Sequence, residues 1–200
     1  MVPAFAGAVV LMVLVRDDPL RLATVAIYGA ALVLLFGVSA LYHTVGWRTS
    51  HRRAWRRADH ATIFLMIAGT YTPIVTTLLD GWWRIALLAA VWSAAIAGAS
   101  LTVAPLRLPR PVFVSLYLAI GWLALIITPM LYARLGPGLL AMLVAGGLLY
   151  SAGATMYALQ RPRLWPRVFG YHEVFHLLVI AASAVFFIFI SLTVVPAARA

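Results

Sequence analysis

Residues 168–195 read VFGYHEVFHLLVIAASAVFFIFISLTVV, a run in which the only charged side chain is Glu173. About 20 such residues, at a helical rise of about 1.5 Å each, cross the ~30 Å hydrocarbon core of a bilayer. The whole chain has this character, since 64% of its 200 residues are hydrophobic, 10% are charged and the mean hydropathy is +1.01. The composition predicts an integral membrane protein.

Charged residues divide the rest of the chain into apolar spans of similar length. The spans show no two-residue alternation, and backbone amides cannot remain unpaired in lipid, so we predict helices and exclude a β-barrel. The expected fold is all-α, a seven-transmembrane-helix bundle that forms a single domain over residues 1–200. The predicted helices are 1–15, 20–44, 59–79, 84–104, 111–132, 137–159 and 168–195.

The first of these spans is short enough to resemble a signal peptide. No basic segment precedes it, and Arg16, Asp17 and Asp18 follow it where a signal peptide would have a cleavage site with small residues. We therefore expect a first membrane helix that is retained in the protein.

All fifteen basic residues are arginine, and they are unevenly distributed between the two sides of the predicted bundle. The positive-inside rule places the richer side in the cytoplasm, so we expect a cytoplasmic N-terminus, an external C-terminus and residence in the cell membrane. The ten arginines on the cytoplasmic side are Arg48, Arg52, Arg53, Arg56, Arg57, Arg107, Arg110, Arg161, Arg163 and Arg167. The five on the other side are Arg16, Arg21, Arg84, Arg134 and Arg199.

The net charge of +10 raises the question of a nucleic-acid partner. The densest basic segment, RTSHRRAWRRAD at 48–59, is predicted to be a short loop between two spans. It contains Trp55 and directly follows Trp47, and tryptophan is typical of a membrane interface. We therefore expect the arginine-rich loops to contact anionic lipid headgroups and expect no nucleic-acid binding. The chain has no cysteine, which excludes disulfides and thiolate metal sites.

Two histidines, His172 and His176, are four residues apart in the last predicted helix. Side chains at this spacing leave the same face of a helix, so both imidazoles can reach one ion. His43 ends the second predicted helix, and Asp59 begins the third, both on the predicted cytoplasmic side. Three imidazoles with an open fourth position are typical of a catalytic zinc site, so we predict zinc bound by His43, His172 and His176.

Two polar residues are predicted to lie beside the ion. Asp59 is expected to accept a hydrogen bond from the zinc-bound water and to favour its deprotonation. Ser39, one turn before His43, is expected to orient that water or a substrate carbonyl. The alternative for each residue is structural, because a single histidine between helices is commonly a hydrogen-bonded polar residue and a serine often bonds back to its own helix.

Three segments carry a family resemblance. SALYH at 39–43, RRADHATIFLMIAGTYTP at 56–73 and YHEVFHLLVIAA at 171–182 resemble the signature segments of the hemolysin III group. That group belongs to the progestin and adipoQ receptor superfamily of seven-helix membrane proteins. In that family three histidines bind zinc near the cytoplasmic side, with the serine and the aspartate beside it. The resemblance implies these roles for His43, His172, His176, Ser39 and Asp59.

HEVFH also matches the H-E-x-x-H motif of zinc proteases, in which Glu173 would be the general base. Leu79, Asp80 and Gly81 supply the LDG segment that intramembrane zinc proteases use. The prediction places Asp80 at the outer end of the third helix and the histidines near the inside, roughly 20–30 Å away. We therefore do not expect a protease, and Glu173 is either an acid near the site or an interfacial residue.

Two classes of function remain open. The first is a zinc-dependent hydrolase of a lipid-like amide or ester, with zinc-bound water as the nucleophile and Asp59 handling the proton. The second is a non-catalytic receptor-like or membrane-homeostasis protein, in which zinc only ties helices 2 and 7 together. A pore-forming cytolysin, suggested by the family name, is a lesser alternative, because the outer halves of these helices have too few polar residues to line a pore.

Overall fold

The computed structural model of the chain describes residues 1–104, 109–162, 164–165 and 169–198, and within these ranges the regular secondary structure is helical. Five helical stretches are long and apolar enough to cross a membrane, and the 13-residue α1 is shorter. The prediction of an all-helical membrane protein is confirmed in this form, with five such stretches where seven were expected. The elements are α1 (Val2–Leu14), α2 (Pro19–Thr44), α3 (Thr49–Leu78), α4 (Gly81–Val103), α5 (Arg110–Gly121), a 3₁₀ segment (Trp122–Ile127), α6 (Thr128–Leu159) and α7 (Tyr171–Ala197).

Some residues used in the orientation prediction lie outside the described residues. They are Arg107, Arg163, Arg167 and Arg199, together with Val168, where the last helix was predicted to begin. The chain divides into two compact units, Met1–Arg107 with Ile190–Ala200 and Leu108–Phe189.

The first unit is built on close helix contacts. α2 packs against α1 and α3, and α3 packs against α4. A Cβ atom added to Gly29 would lie 2.7 Å from the Cβ of Ala8, and one added to Gly69 would lie 2.6 Å from the Cβ of Ala31. Small residues therefore let these helices approach each other, as is common where helices pack in lipid.

A capped turn joins α1 to α2. Asp18 is the N-cap of α2, and its Oδ1 accepts a hydrogen bond from the backbone N–H of Arg21 at 3.0 Å. The guanidinium of Arg21 also pairs with the Asp18 carboxylate. The backbone hydrogen bond and the paired charge favour the ionised carboxylate and lower the pKa of Asp18.

The connection from α2 to α3 differs from the prediction. α3 begins at Thr49, so residues 49–59 of the arginine-rich segment are not a loop but the first three turns of a helix. Trp47 Nε1 donates to the carbonyl of Leu41 at 2.9 Å, and the Trp47 ring stacks on Trp55 with centroids 4.8 Å apart. The loop prediction was wrong because it ended each helix at the first charges, whereas arginine and alanine are good helix formers that can continue a helix out of the membrane.

The second unit contains a broken helix. Gly136 inside α6 has φ 67° and ψ 179°, which is not helical, and Pro137 follows it. Beyond the break α6 packs against α7: the Tyr150 hydroxyl lies 2.8 Å from Ser183 Oγ, and the ring of Phe186 stacks on that of Tyr150. The second half of α6 is thereby fixed against the middle of α7, about two turns beyond the two histidines.

Candidate metal centre

His172 and His176 lie side by side at the start of α7. Their Nε2 atoms are 3.1 Å apart, and their rings are nearly perpendicular, at 89°, with centroids 4.5 Å apart. Two nitrogens bound to one tetrahedral zinc at about 2.0–2.1 Å would be about 3.3 Å apart. The pair therefore fits a shared ion, and without one a neutral ring can donate a hydrogen bond to the other.

Aromatic side chains hold this turn of α7 against α6. The Tyr157 ring lies 6.1 Å from that of His172, 5.2 Å from that of Phe175 and 6.2 Å from that of Tyr171, measured between centroids. Gly153, one turn earlier on α6, leaves room for Phe175, whose ring would lie 3.4 Å from an added Cβ. The orientation of His172 thus depends on packing as well as on helix geometry.

The side chain of Glu173 caps the beginning of α7. Its Oε2 accepts a hydrogen bond from the backbone N–H of Gly170 at 2.7 Å, and the residue is exposed. This is half of a capping box, in which an acid in the third helical position reaches back to the residue before the helix. The two roles left open for Glu173 were an acid near the site and an interfacial residue, and the geometry adds a third, a helix cap. The sequence Gly-x-x-Glu at 170–173 was the signal for it.

His43 and Ser39 belong to the last two turns of α2, in the first unit. His43 is exposed and its ring lies edge-on to that of Tyr42, with centroids 4.6 Å apart, while Ser39 is half-buried. Thr44 ends the helix, and its hydroxyl donates to the carbonyl of Ala40 at 2.7 Å. The Trp47 contact to Leu41 described above holds this end of α2 in place.

Asp59 was predicted to begin the third helix, but it lies three turns inside α3. Its side chain is 13% exposed, and its Oδ2 is 3.9 Å from Nδ1 of His60. Nδ1 of His60 is also 2.8 Å from the carbonyl of Arg56, which can only accept, so Nδ1 carries the proton. His60 was not expected to contact Asp59, because residues adjacent in sequence normally leave a helix on different faces.

The LDG segment of the protease alternative forms the turn between α3 and α4. Asp80 is the residue before α4, and its Oδ1 accepts a hydrogen bond from Arg84 Nη2 at 2.7 Å. Arg84 Nε donates to the carbonyl of Leu79 at 2.7 Å, and Gly81 has φ +55°, which favours glycine. These interactions give the segment a structural role in this turn.

The predicted residues fall into two groups. In the second unit His172 and His176 lie together, and in the first unit α2, with Ser39 and His43, packs against α3, with Asp59.

Comparison with known proteins gives a consistent set of relatives. Residues 1–187 match the family model described as Haemolysin-III related. The chain is 33% identical to Hemolysin-3 of Bacillus cereus over 172 residues, which cover 86% of this chain and 75% of that protein. It is 32% identical to the Hemolysin-3 homolog of Bacillus subtilis (strain 168) over 161 residues, 80% and 72% of the two chains. It is also 30% identical to the Monocyte to macrophage differentiation factor of Homo sapiens over 189 residues, 92% and 75%.

Proposed function

The chain belongs to the haemolysin III-related family of membrane proteins, and on that basis we propose that it is a seven-helix zinc protein that hydrolyses a lipid-like amide or ester. The proposed zinc ligands are His43, His172 and His176, with Ser39 and Asp59 acting on water and substrate. The observation that carries the proposal is the 3.1 Å separation of the His172 and His176 Nε2 atoms, which suits two ligands of one ion.

The length of one helical stretch supports seven crossings. Arg110–Leu159 contains 50 residues. A continuous helix of that length would measure about 75 Å, more than twice the hydrocarbon thickness. The break at Gly136 leaves two segments, each long enough for its own crossing. With α2, α3, α4 and α7 these make six spans, and α1 is the seventh in this proposal.

The donor set supports zinc over other ions. Each of the three proposed ligands is a histidine, which offers one ring nitrogen to a metal ion. Neutral imidazoles suit zinc, whereas magnesium and calcium prefer oxygen ligands. Zinc, when bound, would polarise the substrate carbonyl and activate a water molecule.

The chain's own residues would then move the proton. The Asp59 carboxylate takes one proton from the attacking water and returns it to the nitrogen or oxygen of the leaving group, so that water is added across the broken bond. The side chain of Asp59 is shielded from solvent, which suits this role. The Ser39 hydroxyl donates to the carbonyl oxygen of the substrate as negative charge develops there.

A lipid-like substrate suits the surroundings of the histidines. Leu177 and Ile180 follow His176 on α7, and these two residues are 55% and 52% exposed. An acyl chain can therefore lie along α7 and keep its polar end near the histidines. This arrangement brings an amide or ester to the site from the bilayer.

Metal analysis of the purified protein tests the zinc assignment. We expect about one zinc per wild-type chain and a background level in His43→Ala and in His172→Ala. His51→Ala is the matched control, because His51 is an exposed histidine at the start of α3 that the proposal leaves out. Equal zinc in all four proteins, or none in the wild type, would refute the assignment.

A further inference from the structure

The first turns of α3 carry a stripe of arginines on one side of the helix. Arg48 immediately precedes α3, and Arg52 and Arg56 follow at intervals of four residues. Residues at this spacing lie one above the other on a helix. All three side chains are exposed. We call Arg48, Arg52 and Arg56 the arginine stripe.

The acidic groups of the chain do not neutralise this stripe. The sequence has five acidic residues and fifteen basic ones, and the acidic groups are engaged elsewhere in the described residues. Like charges four residues apart on a helix destabilise it, so an external anion at the stripe would be favourable. The acids and their neighbours are Asp17 with Arg16, Asp18 with Arg21, Asp59 with His60, Asp80 with Arg84, and Glu173 with the Gly170 N–H.

The stripe lies at the level of lipid headgroups. From Asp59 to the end of α3 at Leu78 the helix measures about 30 Å, which matches the hydrocarbon core. The turns before Asp59 therefore emerge from the core. The stacked rings of Trp47 and Trp55 mark the same level, because tryptophan concentrates at the interface between membrane and water.

Contacts on another side of α3 hold the stripe in position. Arg57 Nη1 donates to the carbonyl of Val103, near the end of α4, at 3.2 Å. Together with the Trp47–Trp55 stack, this contact fixes the first turns of α3 within the first unit. The guanidinium of Arg57 is thus used within the protein, while those of the arginine stripe remain exposed.

We propose that the arginine stripe binds the phosphate of an anionic phospholipid in the leaflet that surrounds this end of α3. Guanidinium groups donate paired hydrogen bonds to phosphate oxygens, and the one-turn spacing of Arg52 and Arg56 lets two of them share one headgroup. A lipid is the proposed ligand because the arginine stripe lies at the membrane interface and its positive charge complements the negative charge of the phosphate. The proposal does not depend on zinc or on hydrolysis.

Lipid retention by the whole purified protein tests the proposal. Protein in micelles containing equal amounts of phosphatidylglycerol and phosphatidylcholine is analysed by native mass spectrometry, and the ratio of the two retained lipids is measured. We expect the wild type to enrich phosphatidylglycerol. Each replaced arginine should reduce that enrichment about fivefold, so R52Q/R56Q should reduce it about 25-fold. The charge-matched control R16Q/R161Q replaces two exposed arginines outside α3 and should keep the enrichment.

Two results would overturn the proposal. One is undiminished enrichment in R52Q/R56Q, and the other is an equal loss in R52Q/R56Q and R16Q/R161Q, which would indicate a general effect of charge. If R52Q/R56Q does not purify as a folded protein, the single variants R52Q and R56Q give the same test, each with about a fivefold loss.

Discussion

The Glu173 carboxylate accepts a hydrogen bond from the backbone N–H of Gly170 at 2.7 Å and so closes the first turn of α7, the helix that carries His172 and His176. The glutamate of an H-E-x-x-H motif is here part of a helix cap. We expect Glu173→Ala to lower the stability of the protein by about 1 kcal/mol and to leave its zinc content unchanged.

Thermal unfolding and metal analysis of Glu173→Ala check this expectation. Glu173→Gln is the control, because an amide oxygen can still accept the Gly170 N–H, and its stability should be close to that of the wild type. Loss of zinc in both variants would instead give Glu173 a part in the metal site.

Asp59→Asn separates catalytic zinc from structural zinc. The substitution keeps the shape of the side chain and removes its ability to take a proton, so we expect zinc to stay bound and turnover to fall by about 10²–10⁴-fold. Release of fatty acid from a ceramide-like amide and from an acyl ester is the measurement. Asp17→Asn, the same change at an exposed carboxylate, should leave turnover unaltered. Equal turnover in all three proteins would favour structural zinc.

Gly69→Ala tests the close contact between α2 and α3. The new methyl group would lie 2.6 Å from the Cβ of Ala31, so we expect the helices to separate slightly and the stability to fall by about 1–3 kcal/mol. Adding Ala31→Gly makes room for the methyl group and should restore most of the lost stability. Gly121→Ala is the control, since nothing lies within 4 Å of its added Cβ. Failure of the double variant to recover would place the cause elsewhere.

Asp18 gives the stability a dependence on pH. The backbone hydrogen bond from Arg21 and the paired guanidinium lower the pKa of Asp18 below 3.8, so its contribution is complete above that value. The contribution is lost as the pH falls through the lower pKa of the folded state. We expect Asp18→Asn to unfold at a lower temperature than the wild type at neutral pH, and the difference to shrink below about pH 4. An unchanged difference at low pH would contradict this.

The sequence predicted the helices best where polar residues and turns mark their ends. α2 and α4 end within one residue of the predicted limits, and the residues that directly follow them, Val45 and Ala104, have non-helical ψ angles of 133° and 153°. The start of α3 was missed by ten residues, since charge marks the edge of the membrane and not the end of a helix. The interruption near residue 136 was anticipated, because the charge of Arg134 separates the predicted spans 111–132 and 137–159.

The candidate site was predictable to the extent that helix periodicity determines it. The pairing of His172 with His176 follows from a spacing of four residues. The contact of Asp59 with His60 could not be read in this way, because it depends on side-chain rotamers. The packing of Tyr157 around His172 depends on how α6 and α7 meet, which periodicity does not specify.

The continuity of α3 from Thr49 to Leu78 has a consequence for regulation. Arg56 and Asp59 are less than one turn apart on the same rigid backbone, so any tilt or rotation of the helix moves both. Under the two proposals, a headgroup bound at Arg56 would restrain the tilt and rotation of α3 and so hold the proton-carrying carboxylate in place. The lipid composition of the leaflet would then affect hydrolysis through one secondary-structure element.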